Sequence, residues 1–198
     1  WGEDKVRRRI SHAELHRAVA QTAAALRAMG VKPGDRVAAY LPNLPAAIVA
    51  MLATASIGAI FSSASPDFGV QGVLDRFGQI EPKLLVVGDG YHYNGKAVAI
   101  LERVAEIAAR LPSLRKVVVV PCIRERELDI RGIRNGVLLD DFVAPYAAQT
   151  EIDFAELPFD HPLFIMYSSG TTGAPKCIVH GAGGVLLQHL KEHRLHGD

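Results

Sequence analysis

Ten residues, Tyr167-Ser-Ser-Gly-Thr-Thr-Gly-Ala-Pro-Lys176, concentrate the groups that bind a polyphosphate. Ser168, Ser169, Thr171 and Thr172 offer hydroxyl donors, Gly170 and Gly173 let the backbone approach closely, and Lys176 supplies a cation. Successive N–H groups of such a stretch form an anion-binding nest. The apolar run Leu163-Phe-Ile-Met-Tyr167 before it reads as a buried strand, which puts the loop at a strand end, where open α/β sheets bind ligands.

The spacing is not that of the Walker phosphate loop. Counting from Gly170, the second glycine is due at position 175, where Pro175 stands, and Cys177 stands where Ser or Thr should follow the lysine. The next residues, Cys177-Ile-Val-His180, are strand-like and end at Gly181, so no helix N-terminus points directly at the phosphates.

Ser168-Ser-Gly-Thr-Thr-Gly-Ala-Pro-Lys176 instead resembles the signature of the adenylate-forming family, which includes acyl-CoA synthetases, luciferases and adenylation domains of peptide synthetases. Four flanking stretches are similar to its acetoacetyl-CoA synthetase branch: Ser65-Pro-Asp-Phe-Gly69, Arg76-Phe-Gly-Gln-Ile-Glu-Pro82, Lys176-Cys-Ile-Val-His-Gly-Ala-Gly-Gly184 and Leu187-Gln-His-Leu-Lys-Glu-His-Arg-Leu-His196. The resemblance runs through nearly the whole chain. It implies an α/β fold, a mainly parallel sheet with flanking helices, with residues 1–198 as a partial N-terminal AMP-binding domain. It implies a ligase that activates acetoacetate with ATP to acetoacetyl-AMP and passes the acyl group to coenzyme A.

On that resemblance Ser168, Ser169, Gly170, Thr171, Thr172, Gly173 and Lys176 bind ATP, with Lys176 stabilising phosphate charge during catalysis. Mg2+ is the implied counterion, with Thr172 as its protein ligand. Coenzyme A is implied near Phe68, Gly69 and Lys96; Tyr93 stands where acetyl-CoA synthetase relatives carry arginine, and Phe68-Gly69 reads equally as a helix-start turn. The adenine, ribose and acyl-pocket motifs and a late lysine are expected beyond Asp198, so the 198 residues alone are expected to be inactive. Acetate or propionate remain alternative acids, and a non-catalytic nucleotide-binding module is the alternative of a different class.

Composition agrees with a globular enzyme and excludes other classes. The chain is 49% hydrophobic and 22% charged, enough for one sizeable core. Its 22 Lys+Arg balance 21 Asp+Glu, so nothing advertises nucleic acid or an anionic membrane, and small-molecule substrates are the expected partners. Cys122 and Cys177 form no CxxC motif or disulfide framework, which suits a reducing cytoplasm. No charge occurs between Arg36 and Asp67, yet Pro42 and Pro45 punctuate that stretch. Its apolar part, Ala46 to Phe61, is shorter than the roughly 20 residues a spanning helix needs.

The loop must be positioned by the elements before it. Ser11-His-Ala-Glu14 is a capping box that starts a helix with Leu15, Val19, Leu26 and Met29 on one face, ended at Gly30. Strand Arg36–Leu41, helix Pro45–Ile57 and strand Ala59–Ser63 give the βαβ rhythm of a parallel sheet. A helix with Val70, Val73, Leu74, Phe77 and Ile80 leads to the strand Leu84–Val87. Ala97, Ile100, Leu101, Val104, Ala108 and Leu111 read as another helical stripe before the strand Lys116–Val120. Arg124 to Gly136 reads as an exposed excursion, Asp140 to Tyr146 as a short helix, and Ala147 to Asp160 as a connection.

Other constellations compete with the loop. His189-Leu-Lys-Glu-His193 fits H-x-x-E-H, whose two imidazoles on one helix face ligate zinc in some peptidases; a solvated helix face is the alternative. Asp160, His161 and a loop serine invite a triad reading, but no G-x-S-x-G elbow surrounds either serine, and His161 is expected to be structural. His180-Gly-Ala-Gly-Gly184 is either a close pass by the nucleotide or a turn into the last helix.

Overall fold

The computed structural model describes residues 9–124, 128–168 and 173–197. Helix α1 (His12–Ala28) begins with the expected reciprocal cap: Glu14 N–H donates to Ser11 Oγ at 3.2 Å, and Ser11 N–H donates to the Glu14 carboxylate at 2.7 Å. Gly30, at φ +86°, ends it in the left-handed conformation that a side chain disfavours. Strand β1 (Arg36–Tyr40), helix α2 (Pro45–Ser56), strand β2 (Ile60–Ala64), helix α3 (Val70–Ile80) and strand β3 (Leu84–Gly88) follow. Next come β4 (Gly90–Tyr93), β5 (Lys96–Ala99), α4 (Leu101–Arg110), β6 (Lys116–Val120) and β7 (Gly136–Leu138). The chain continues through α5 (Leu139–Val143), a 3-10 turn over Ala144–Tyr146, β8 (Pro162–Ser168), β9 (Lys176–Gly181) and α6 (Ala182–Leu195).

Seven strands form one sheet in the order β7-β6-β3-β1-β2-β8-β9, with every pairing parallel except β8 with β9. The sheet has two buried faces. On one, α3 and α4 cover Tyr40, Leu85, Val87 and Val117 through Phe77, Val104 and Ile107. On the other, α1 and α2 cover Val37, Ala39, Leu84 and Val86 through Leu26, Ala53 and Ile57. Burial on both faces explains why β3 is apolar throughout, and each such side chain contributes about 1.5–3 kcal/mol by leaving water.

Three expectations are corrected. Ala97 is not helical: residues 90–99 form the antiparallel hairpin β4–β5, and Ile100 is the N-cap of α4. Asn94 and Gly95, at φ +49° and +74°, make its two-residue turn, so an Asn-Gly signal overrides a stripe that began four residues too early. The excursion after Arg124 is not wholly exposed, because Ile133 is 6% exposed and anchors it to the α4 face, and Gly136 opens a seventh strand. β8 is only half-buried: Ile165 points to the α3–α4 face, whereas Met166, on the other, is 52% exposed. No helix among the described residues is long and apolar enough to cross a membrane.

Candidate functional site at the carboxyl edge of the sheet

Chain order fixes where a ligand cleft must open. From β1 the chain moves to β2 on one side through α2, then returns past β1 to β3 through α3 on the opposite face. The connections leaving β1 and β3 therefore diverge to opposite faces, which opens a crevice outside the carboxyl ends of these neighbours. A cleft of about 640 Å³ lies there. Pro42 and Asn43 after β1, Ser63 to Asp67 at the end of β2, Tyr91 to Tyr93 of the hairpin and Cys122 after β6 line it. A second, mostly apolar cavity of about 510 Å³ lies between α1, α2, α5 and the sheet; among the described residues of Tyr167–Lys176, none lines either cavity.

The stems of the Ser168–Lys176 loop stand at the same edge. β8 runs parallel to β2, with Phe61 opposite Phe164 and Ser62 opposite Ile165, so Ser168 ends level with the β2 exit. β9 returns antiparallel with Lys176 directly opposite Ser168. The Ser168 hydroxyl and the exposed Lys176 ammonium thus flank the mouth of the loop, and Gly173, at φ +99°, takes a conformation that side chains disfavour. Ser169, Gly170, Thr171 and Thr172 lie outside the described residues. Helix α6 begins at Ala182 after the whole length of β9, at the far end of the hairpin. Of the Gly181–Gly184 cluster, Gly181 caps that helix and Gly183 and Gly184 lie in its first turn.

The Ser65–Gly69 turn is held by its carbonyls. The buried Tyr40 hydroxyl lies 2.6 Å from the Phe68 carbonyl and 2.9 Å from that of Pro66, and its single proton serves one at a time. Arg103 Nη1, 3.1 Å from the Pro66 carbonyl and 3.2 Å from the Tyr40 hydroxyl, supplies the second donor. Burial raises the Tyr40 pKa, which keeps the hydroxyl a donor. Gly69 caps the start of α3, as the helix-start reading expects. Phe68 turns its ring under the Arg76 guanidinium, 4.1 Å away. Lys96 is exposed and opposite Tyr93 beside the hairpin turn.

The hairpin is anchored by Asp89, 1% exposed, between β3 and β4. Its carboxylate accepts the N–H groups of Cys122, Ile123 and Arg124 at 2.6, 3.0 and 3.0 Å, tying the exits of β3 and β6 together. Burial, with the nearby Asp89, pushes the Cys122 thiol up to about 11, so it is not a thiolate nucleophile near neutrality. Sequence reasoning missed Tyr40, Asp89 and Arg103. Only Asp89 left a signal, a carboxylate directly after an apolar strand.

Among the described residues neither rival constellation is complete. His161 Nε2 lies 2.8 Å from the Gly58 carbonyl and donates to it, a structural role. His189 and His193 are exposed on α6, and among the described residues no three His, Cys, Asp or Glu side chains converge as a metal site.

The AMP-binding enzyme family matches residues 3–196. The chain belongs to that family. Within it, the chain is 58% identical over 193 residues to the acetoacetyl-CoA synthetase of Gallus gallus, covering 96% of this chain and 29% of that protein. It is 55% identical to the acetoacetyl-coenzyme A synthetase of Rhizobium meliloti (strain 1021), over 98% of this chain and 30% of the relative. The solved acetoacetyl-CoA synthetase from Streptomyces lividans superposes with a TM-score of 0.86 at 48% identity, covering 94% of this chain and 28% of that one. The chain thus spans less than a third of the length of these relatives.

Proposed function

We propose that the protein is an acetoacetate–CoA ligase and that these residues form the part of it that holds the ATP phosphates and borders coenzyme A. The observation that carries this reading is identity of 55–58% with acetoacetyl-CoA synthetases over nearly all of the chain. A malonamoyl-CoA synthetase of Penicillium aethiopicum is 44% identical over the same span.

In the reaction an acetoacetate oxygen attacks the α-phosphorus of ATP, and the bond to pyrophosphate breaks. The coenzyme A thiol, losing its proton, then attacks the acyl carbon, and AMP departs. Activation is needed because a free carboxylate has only oxide to expel, whereas AMP leaves readily. The loop supplies no nucleophile. Ser168 and Lys176, opposite each other at its mouth, together with Ser169, Gly170, Thr171, Thr172 and Gly173, hold the β- and γ-phosphates while charge builds on departing pyrophosphate. Mg2+ is the counterion we assign; the Thr172 hydroxyl would help hold it, and the ion would offset the charge of the phosphates. The Ser65–Gly69 turn, with Phe68 and Gly69, and the hairpin bearing Lys96 form the coenzyme A side of the cleft.

Pyrophosphate–ATP exchange by the full-length protein tests both halves of this assignment. Acetoacetate should support exchange well above acetate, propionate, butyrate and malonamate; preference for another acid refutes the substrate. Lys176→Ala should slow exchange by about 100-fold or more, the scale of removing one electrostatic stabiliser of developing charge. Unchanged exchange refutes the role of the loop.

A further inference from the structure

We infer that helix α3 braces both stems of the Ser168–Lys176 loop, with Gln79 and Arg76 as positioning residues for the nucleotide phosphates; this rests on the loop being the phosphate binder. The β9 stem is otherwise weakly supported. Lys176 and Cys177 are exposed on β9, the last strand of the sheet, which has β8 as its one strand neighbour among the described residues. Pro175 has no N–H to add to the ladder.

One amide compensates. Gln79 Nε2 donates to the Pro175 carbonyl at 2.8 Å, and the Cys177 thiol donates to Gln79 Oε1 at 3.6 Å. The residues immediately before and after Lys176 are therefore tied to one side chain. Its orientation is dictated by its partners, since the carbonyls of Asp75 and Pro175 both require the NH2 end.

The other stem meets the same helix one turn earlier. Arg76 Nη1 donates to the Gly72 carbonyl at 2.7 Å, which fixes the guanidinium on the helix. The group then lies 4.1 Å from the Phe68 ring centroid and 5.8 Å from that of Tyr167, the residue before Ser168. Tyr167 also meets the Phe77 ring, 6.4 Å between centroids, and the Ser62 hydroxyl, 3.2 Å from its oxygen; the Ser62 proton goes to the Ile165 carbonyl at 2.8 Å, so Tyr167 donates. Gly69, the N-cap of α3, closes the Ser65–Gly69 turn. A single helix thus starts from the turn on the coenzyme A side and touches both stems of the phosphate loop. Misplacing a charged group by an ångström is enough to lose much of its effect on a transferring group, so the brace acts through the placement of Lys176.

The test uses pyrophosphate–ATP exchange by the full-length protein with acetoacetate. Gln79 is exposed, so replacing it opens no core. Gln79→Ala should raise the KM for ATP by about three- to tenfold, the worth of one hydrogen bond. Gln79→Glu, which cannot donate to Pro175 and adds negative charge beside the phosphates, should raise it further. The exchange rate at saturating ATP should fall as well, because Lys176 acts on charge that develops in the transition state, whereas the KM for acetoacetate and the thermal midpoint should stay at wild-type values. Arg76→Met, which keeps an apolar stem, should raise the KM for ATP and, in the complete reaction, for coenzyme A. Wild-type KM for ATP in both Gln79 variants, with exchange lost in Lys176→Ala, overturns the brace and leaves the loop assignment standing. Unchanged exchange in Lys176→Ala overturns the loop assignment and the brace with it. A rise in the KM for acetoacetate equal to that for ATP, with a lowered midpoint, marks general damage and also overturns the brace.

Discussion

Replacing Asp89 should unfasten the hairpin side of the cleft. The carboxylate is 1% exposed and accepts three backbone N–H groups, from Cys122, Ile123 and Arg124. A hydrogen bond to a charged acceptor contributes about 1.5–3 kcal/mol, and removing the acceptor leaves its donors unpaired unless water enters. Because the three bonds share one group and the turn can rehydrate, Asp89→Ala should cost about 3–5 kcal/mol rather than their sum. Asp89→Asn retains one oxygen that can accept two of the N–H groups but turns an amide toward the third, and should cost about 1–3 kcal/mol. The assay is hydrogen exchange of the full-length protein, followed on the peptide spanning Cys122 to Arg124. Exchange should quicken by about 100-fold or more in Asp89→Ala, at tenfold per 1.4 kcal/mol, and by less in Asp89→Asn. Exchange in 122–124 unchanged in Asp89→Ala would falsify the argument that this carboxylate holds the turn. If the proposed function holds, acyl-AMP formation should persist while the coenzyme A step weakens, because Ile123 packs on the start of the hairpin that carries Tyr91 to Tyr93.

Other perturbations read other parts of the structure. Gly90→Ala would set a Cβ 2.4 Å from the Val98 carbonyl oxygen and from Ile123 Cδ1; since the carbonyl is backbone, the hairpin must shift, and denaturant titration should show a loss of about 1–3 kcal/mol. Full stability in Gly90→Ala would show that β4 and β5 separate freely. Tyr167 has its pKa pushed up to about 12, chiefly by burial. The unfolded chain, with an ordinary value near 10, releases that proton first, so the contribution is fully present below pH 10 and is lost as pH rises toward 12. Wild type should therefore lose more stability over that window than Tyr167→Phe in pH-dependent unfolding, and equal losses would contradict the burial. Cys122, with its thiol near 11, should be alkylated by iodoacetamide at a rate that climbs about tenfold per pH unit from pH 8 to 10, read by mass spectrometry of its peptide. A rate that levels off at pH 9 would show an ordinary exposed thiol.

Local chemistry made much of this protein legible in its sequence. The Ser11–Glu14 box, the apolar run of β3 and the glycines after α1 and α2 each carry their own instruction, and the elements stand where those residues put them. The strand, rather than helix, that begins at Lys176 was likewise a local property. Periodicity misled where two signals overlapped: Ala97 extends a helical stripe, but the Asn94-Gly95 turn and its cross-strand partners claim it for the hairpin. Burial of β8 was overestimated because a sequence shows that a run is apolar and not which layers cover it; Met166 remains open.

What the tertiary structure alone decided is which distant residues share an edge. The reversal of direction at β1 brings the turn after β2, the hairpin after β3 and the stems of the loop after β8 to one carboxyl edge, from stretches about a hundred residues apart. The side chains that fix them, Tyr40 and Arg103 on the Ser65–Gly69 turn, Asp89 on the β6 exit and Gln79 on the Pro175 carbonyl, pair with backbone atoms. Backbone carbonyls and amides are the same in every residue, so such bonds leave no pattern of residue types in the chain. Only the folded geometry, which aims each side chain at one carbonyl or amide among many, specifies them.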